Sequence, residues 1–300
     1  MNHVDHRPLI SVLMPVYNGE AYVREAILSI VQQTYPFWEL VIVDDGSTDG
    51  TAELLGKLSA LDSRIKVFRK ENEGLTRALN FGLELCQGVY IARQDADDIS
   101  EPYRLDSLSE AVLKNQHRVI VSGWCVFEDG DLERSWASEV NAWMPTVLRA
   151  RLLRWTNLYV HGTLLIEKKF LEELGGYDTS FRMSQDYDLF LRAQEKEPIA
   201  YLPGSLYRLR RHRDSIGRRH LVEQTRYAAA AALIQSLRDS GRHDRVAQLR
   251  HAIAGGLHGT DMMSLLKTES ERRNISFWFR CFDFRLSFLA RKKREPLYQE

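Results

Sequence analysis

From residue 9 to residue 92 the chain alternates short β-branched runs with stretches of helical spacing, and no other feature limits so tightly what it can fold into. Apolar runs at residues 9–14, 40–43, 65–68 and 89–92 predict strands, each closed by turn chemistry such as Pro15 and Asn18-Gly19 or Asp44-Asp45-Gly46-Ser47. Between them, residues 20–33, 51–61 and 75–86 space their apolar side chains for helices with one buried face. Strand–helix–strand units close through right-handed crossovers, so the expected core is a mostly parallel sheet covered by helices on both faces. Such sheets bind ligands outside the carboxyl ends of their strands. Those ends carry Tyr17 and Asn18, then Asp44 and Asp45, then Asp95, Asp97 and Asp98, which predicts one crevice lined by all three sets.

A chain of 300 residues, 44% hydrophobic, holds one large α/β domain with room for an appended helical segment. Residues 100–200 are less regular, with strands expected at 119–127 and 162–166, an aromatic-rich stretch at 136–159 and a helix at 185–195. From residue 221 the pattern turns helical, beginning with an alanine-rich segment through residue 237, and the division expected is a catalytic region 1–218 and a helical region 219–300. Formal net charge is zero, yet residues 1–200 hold 21 Lys+Arg against 31 Asp+Glu and residues 201–300 hold 20 against 10. The two ends therefore face different chemistry. Cys86, Cys125 and Cys281 lie far apart, which excludes a close-paired disulfide or zinc framework and suits a reducing compartment. No segment reads as a signal peptide or reaches the ~18 apolar residues of a membrane span, so the expectation is a cytoplasmic protein, soluble or peripheral at the inner face of a membrane.

Neither a Gly-x-Gly-x-x-Gly fingerprint nor a P-loop follows any strand, so a glycine cradle for phosphate is excluded. In its place stands Asp95-Ala96-Asp97-Asp98. Carboxylates alone repel phosphate, and an anionic ligand beside them calls for a divalent cation, with hard oxygen ligands suiting Mg2+ or Mn2+.

Five motifs now stand in order: Pro15-Val16-Tyr17-Asn18, Asp44-Asp45-Gly46-Ser47, Asn72-Glu73-Gly74-Leu75, Asp95-Ala96-Asp97-Asp98, and Gly175-Gly176-Tyr177-Asp178 ahead of Gln185-Asp186-Tyr187-Asp188-Leu189. In order and spacing they resemble family 2 glycosyltransferases across residues 8–217. The resemblance implies a GT-A fold, Rossmann-like, that moves a sugar from a nucleoside diphosphate onto an acceptor hydroxyl with inversion. It also implies roles. Pro15, Tyr17, Asn18, Glu20, Asp45, Arg77, Asp95 and Asp97 would bind the nucleotide-sugar, with Tyr17 against the base and Asp45 accepting from its ring N–H, a preference for uracil or thymine. Asp95 would contact the ribose, Asp97 would ligate the metal, and His212, within a late arginine-rich element, would ligate it or bond a phosphate. Asp186 would be the general base, since a sugar hydroxyl attacks well only while a positioned carboxylate takes its proton.

Other readings remain open. Asp44-Asp45-Gly-Ser on its own is a strand-ending turn more often than a base reader, and acidic residues also favour helix starts. Asp188 reads as structural, and His161 fits a satisfied loop histidine as well as an acceptor-site border. A sugar nucleotidyltransferase shares the sheet and the metal-binding carboxylates, and a non-catalytic nucleotide-sugar scaffold shares the fold. Residues 275–294 interleave Phe and Trp with Arg and Lys, which suits an amphipathic helix on an anionic membrane or a helix packed on the catalytic region. The partners expected are a nucleotide-sugar donor and a glycan or lipid-linked acceptor. No nucleic-acid module occurs, and the sequence carries no signal for oligomeric state.

Overall fold

The computed structural model describes residues 7–128, 131–137, 146, 153, 157–212 and 220–255. In chain order these form β1 (Ile10–Val16), α1 (Val23–Val31), β2 (Trp38–Asp44), α2 (Thr51–Ser59), β3 (Ile65–Arg69), α3 (Leu75–Leu85), β4 (Tyr90–Arg93), β5 (Ile99–Ser100), α4 (Arg104–Asn115), β6 (Val119–Glu128) and β7 (Asp131–Ala137). After a 3-10 turn at His161–Thr163 come β8 (Leu164–Glu167), α5 (Lys168–Glu173), α6 (Gln185–Lys196), β9 (Ala200–Arg211), α7 (Leu221–Asp239) and α8 (His243–Ala254).

Among the described residues the strands join one sheet in the order β3-β2-β1-β4-β8-β6-β9-β5, with β7 paired to β6. The block β3-β2-β1-β4 is parallel, as the alternation predicts. β8 then enters antiparallel to β4 and to β6, and β9 runs parallel to β6. This is the α/β architecture of the GT-A type. β1 and β2 are buried along their whole length, as befits strands covered on both faces.

The two-residue repeat of a strand divides the core. Leu13, Val41 and Val43 face one cluster, filled by Ala78, Leu79 and Leu83 of α3 and by Phe190 of α6. Val12, Met14, Leu40 and Ile42 face the other, filled by Val23, Ile27 and Ile30 of α1, Leu55 of α2 and Leu105 and Leu108 of α4. Each such side chain contributes about 1.5–3 kcal/mol by leaving water. Tyr227, Ile234 and Leu237 of α7 and Leu249 and Ile253 of α8 belong to the same cluster as Leu13, so the helices after residue 219 share the core of the sheet.

Three features depart from the sequence reading. α4 lies inside the stretch read as less regular; its buried stripe is Leu105, Leu108 and Val112, at helical spacing amid polar residues. The strand expected from Gly162 begins at Leu164: Gly162 lies against the Tyr207 ring, where a Cβ would collide, and its carbonyl accepts a 2.5 Å bond from Arg104 Nη2. β9 continues across Pro203-Gly204, which reads as a break, because its register with β6 shifts at Ser122–Trp124 and Gly204 takes φ +102°. Of the aromatic stretch 136–159 only parts are described, and residues 275–294 lie outside the described residues.

Gly88 precedes β4 under tight packing: a methyl there would stand 2.5 Å from Ser11 N and 2.8 Å from Leu9 O, both backbone atoms. Gly56, inside α2, has nothing within 4 Å of that position. In urea unfolding Gly88→Ala is expected to cost about 1–3 kcal/mol through overpacking. Gly56→Ala is expected to add roughly 0.5–1 kcal/mol through helix propensity.

Candidate active site

The carboxyl ends of β1, β2 and β4 lie side by side in register, which brings their following loops to one edge. Asn18, in the left-handed region at φ 51°, joins the first two loops: its Oδ1 accepts from Thr48 N at 2.8 Å, and its own N–H donates to Ser47 Oγ at 2.9 Å. Glu20 repeats the link, with Oε2 accepting from Gly50 N at 2.9 Å. These two candidates thus shape the rim. Pro15 is buried within β1, level with Val43, while Tyr17 is 53% exposed on the rim.

Asp45 is buried and holds the loop after β3. Its Oδ1 accepts from Glu73 N at 3.1 Å and Lys70 Nζ at 3.2 Å, and its Oδ2 accepts from Gly74 N at 2.8 Å. A carboxylate has about four acceptor positions. Three are taken by the protein, which leaves one. Arg77, on the first turn of α3, is exposed and lies 3.7 Å from Glu73 Oε1.

Beyond β4 the three aspartates have separate surroundings. Asp95 accepts 2.6 Å from Nη2 of buried Arg93, and its N–H donates to Tyr207 Oη at 3.0 Å. Asp98 is enclosed, its Oδ1 accepting from Arg210 N at 2.8 Å. Asp97, its side chain 35% exposed, faces outward with Oδ2 2.9 Å from His212 Nε2. Burial raises the affinity of Asp95 and Asp98 for protons, opposed at Asp95 by the Arg93 cation and reinforced at both by Asp97. Arg210 ties the end of β9 to this loop: Nε donates to Asp97 O at 2.8 Å, Nη2 pairs with Glu25, and the guanidinium lies 4.8 Å from the Tyr22 ring centroid. The same ring lies 4.6 Å from that of His212.

Asp186 sits in the first turn of α6, its Oδ2 accepting from Asn157 Nδ2 at 2.9 Å. Burial lifts its pKa above the ordinary carboxylate value; the Tyr187 N–H and Asn157 pull it back, and the Asp95 charge lifts it further. That mutual influence puts Asp186 within electrostatic reach of the acidic loop. His161 and Tyr177 complete the floor, hydrogen-bonded Nε2 to Oη at 2.9 Å, with burial and the Arg93 charge holding His161 neutral, well below its usual range. Asp188, two residues from Asp186, turns away from the crevice into buried ion pairs.

Sequence reasoning missed Arg93, Tyr207, Lys70 and Asn157 as partners of the predicted carboxylates. Arg93 carried a signal, a charge closing an otherwise apolar strand just before three acids. Asn157 carried none.

Acid-bearing loops along the carboxyl edge of a parallel block, with a raised carboxylate facing them from a later helix, define a glycosyltransferase of the GT-A type. Comparison with known proteins agrees. The family model described as glycosyl transferase family 2 matches residues 11–175. The glycosyltransferase EpsE of Bacillus subtilis (strain 168) is 34% identical over 218 residues, 71% of this chain and 76% of that one. An uncharacterized glycosyltransferase of Rickettsia felis is 32% identical over 208 residues, and there the chain spans 34% of the relative's length. Two solved structures share the fold: S. aureus TarS 1-349 in complex with UDP-GlcNAc (TM-score 0.61, 20% identity, 81% of this chain and 72% of that one) and the mannosyltransferase PcManGT from Pyrobaculum calidifontis in complex with GDP-Man and Mn2+ (TM-score 0.56, 19% identity, 99% and 89%). The chain belongs to glycosyl transferase family 2.

The raised pKa of Asp186 has a consequence for stability. The unfolded carboxyl ionises first, near 3.8, while the folded one still holds its proton, so stability falls as pH rises through the window between the two values. At neutral pH the ionised group therefore costs stability. Asp186→Asn is expected to stabilise the protein at pH 7, with the gain vanishing below the unfolded value; thermal melts from pH 3.5 to 8 read it.

Proposed function

We propose that this glycosyltransferase takes a UDP- or dTDP-sugar and transfers the sugar, with inversion, to an acceptor hydroxyl in the assembly of a polysaccharide or lipid-linked glycan, with Asp186 as general base. The observation that carries this reading is the Asp186 carboxylate, held at one oxygen by Asn157 and raised toward neutrality by burial. A base with its pKa shifted toward working pH takes a proton more effectively than an ordinary aspartate. Its second oxygen takes the acceptor proton as the hydroxyl attacks the anomeric carbon from the side opposite the leaving diphosphate. One displacement inverts the configuration. Retention would require a carboxylate acting as nucleophile on the opposite face.

On the donor side, Tyr17 stacks on the base, and Asp45 uses its remaining acceptor position for the ring N–H of uracil or thymine. Asp95, fixed by Arg93, accepts from the ribose, and Arg77 on the rim approaches the donor. Among the described residues no group of three or more His, Cys, Asp or Glu is arranged around a common metal position. The pair Asp97 and His212, 2.9 Å apart, nevertheless fits a hard divalent ion that keeps water and phosphate oxygens in its shell, Mg2+ or Mn2+. Asp97 and His212 would hold it, and when bound it neutralises charge on the leaving diphosphate. The neighbours in complex with UDP-GlcNAc and with GDP-Man and Mn2+ support this chemistry. No helix among the described residues is long and apolar enough to cross a membrane, and the reading places the enzyme in the cytoplasm, with residues 275–294 contacting the inner face of the membrane.

The test is a panel of UDP-, dTDP- and GDP-sugars with manganese, magnesium or chelator, read by thermal shift and donor turnover. One uracil or thymine nucleotide-sugar is expected to stabilise the protein, and chelator to abolish the effect. Asp97→Asn should lose the metal dependence while staying folded. Asp186→Asn should keep donor binding and lose about 10²–10⁴-fold in turnover. Full turnover by Asp186→Asn, or pyrophosphate release from a nucleoside triphosphate, would sink the reading.

A further inference from the structure

Asp186 and Asp188 stand two residues apart on α6 and so face different ways, the first toward the acidic loop and the second into the protein. Asp188 is 1% exposed and carries a chain of contacts. Its Oδ2 pairs with Arg192 Nε at 2.7 Å, and Arg192 Nη1 donates to Leu174 O at 2.7 Å, at the entry to Gly175-Gly176-Tyr177. Its Oδ1 lies 3.8 Å from Arg238 Nη1, near the end of α7. The segment before α6 is tied to the same helical pair. Arg250 of α8 pairs with Asp178 at 2.8 Å, Ser184 Oγ donates to Gln224 O at 3.0 Å, and the Phe181 and Tyr227 rings lie 6.3 Å apart. The matched family region ends at residue 175, so of the residues in these contacts only Leu174 falls within it.

We propose that Arg238 is a positioning residue for Asp186, acting through Asp188, and that α7 and α8 hold the base helix in register with the donor side of the crevice. The inference rests on the reading of Asp186 as base. The physical ground is that α6 carries that residue in its first turn, where a helix end frays unless anchored. The anchors come from elements distant in the chain. A displacement of about 1 Å at a reacting group costs up to ~10²-fold in rate, so a loosened anchor acts on turnover before it acts on donor affinity.

Arg238→Met keeps the Asp188–Arg192 pair and so leaves Asp188 with a partner. Hydrogen exchange is expected to quicken about tenfold across residues 178–196, with β1 and β2 unchanged and UDP affinity within twofold. Release of UDP from UDP-N-acetylglucosamine with manganese is expected to fall about tenfold at constant KM. Arg238→Lys should restore much of both. Should Arg238→Met fail to fold, Arg238→Gln, which also keeps the Asp188–Arg192 pair and removes the charge, should show the same local loosening. Unchanged exchange in α6, or an equal loss of protection throughout the sheet, would overturn the proposal. Asp186→Asn is measured alongside: if it keeps full turnover, the base assignment fails, and the exchange result still decides whether Arg238 anchors α6.

Discussion

Three carboxylates within four positions repel one another, and the way the fold disposes of that repulsion governs the rest of the site. Arg93 reaches up from β4 to Asp95, the backbone of Arg210 closes over Asp98, and Asp97 is left to His212 and the outside. Each solution draws in a different element. The Arg93 carbonyl accepts 2.8 Å from Nη2 of Arg104, whose guanidinium is buried deeply enough to lower its pKa to about 10, and that same nitrogen fixes Gly162. Arg210 commits the end of β9. The turn at His161 and the placement of His212 are thereby linked to one loop.

The parallel block was legible because its signals are local. Alternating periods from residue 9 to 92 announce strands and helices, and the carboxyl-edge rule places their loops together. α4 went unread although Leu105, Leu108 and Val112 keep a helical spacing, because polar residues surround that stripe within a stretch of otherwise irregular pattern. β9 escaped because Pro203-Gly204 is a strong break signal unless a neighbouring strand supplies the bulge. That information sits in β6, some eighty residues earlier, by sequence separation.

The candidate site was legible in its acids and silent in their partners. Asp45, Asp95, Asp97 and Asp186 stand out by type and spacing, but Asn157 and Tyr207 are ordinary residues until the chain brings them against those carboxylates. Asp188 read as structural, and its buried pairs with Arg192 and Arg238 give that reading its content. In the described part of the region after residue 219, Tyr227, Ile234 and Ile253 fill the core beside Leu13.

The Asp45 carboxylate divides itself between the backbone of Glu73 and Gly74, the ammonium of Lys70 and one remaining lone pair. Sequence change at this position is therefore epistatic. On the proposed reading of Asp45 as the base reader, a lineage drifting toward a different nucleobase has to find a substitute for the loop anchor in the same step, so Lys70, Asp45 and the glycine at position 74 should evolve as a correlated group. On that reading base preference is a slow character, while an exposed rim residue such as Arg77 is free to diverge by itself.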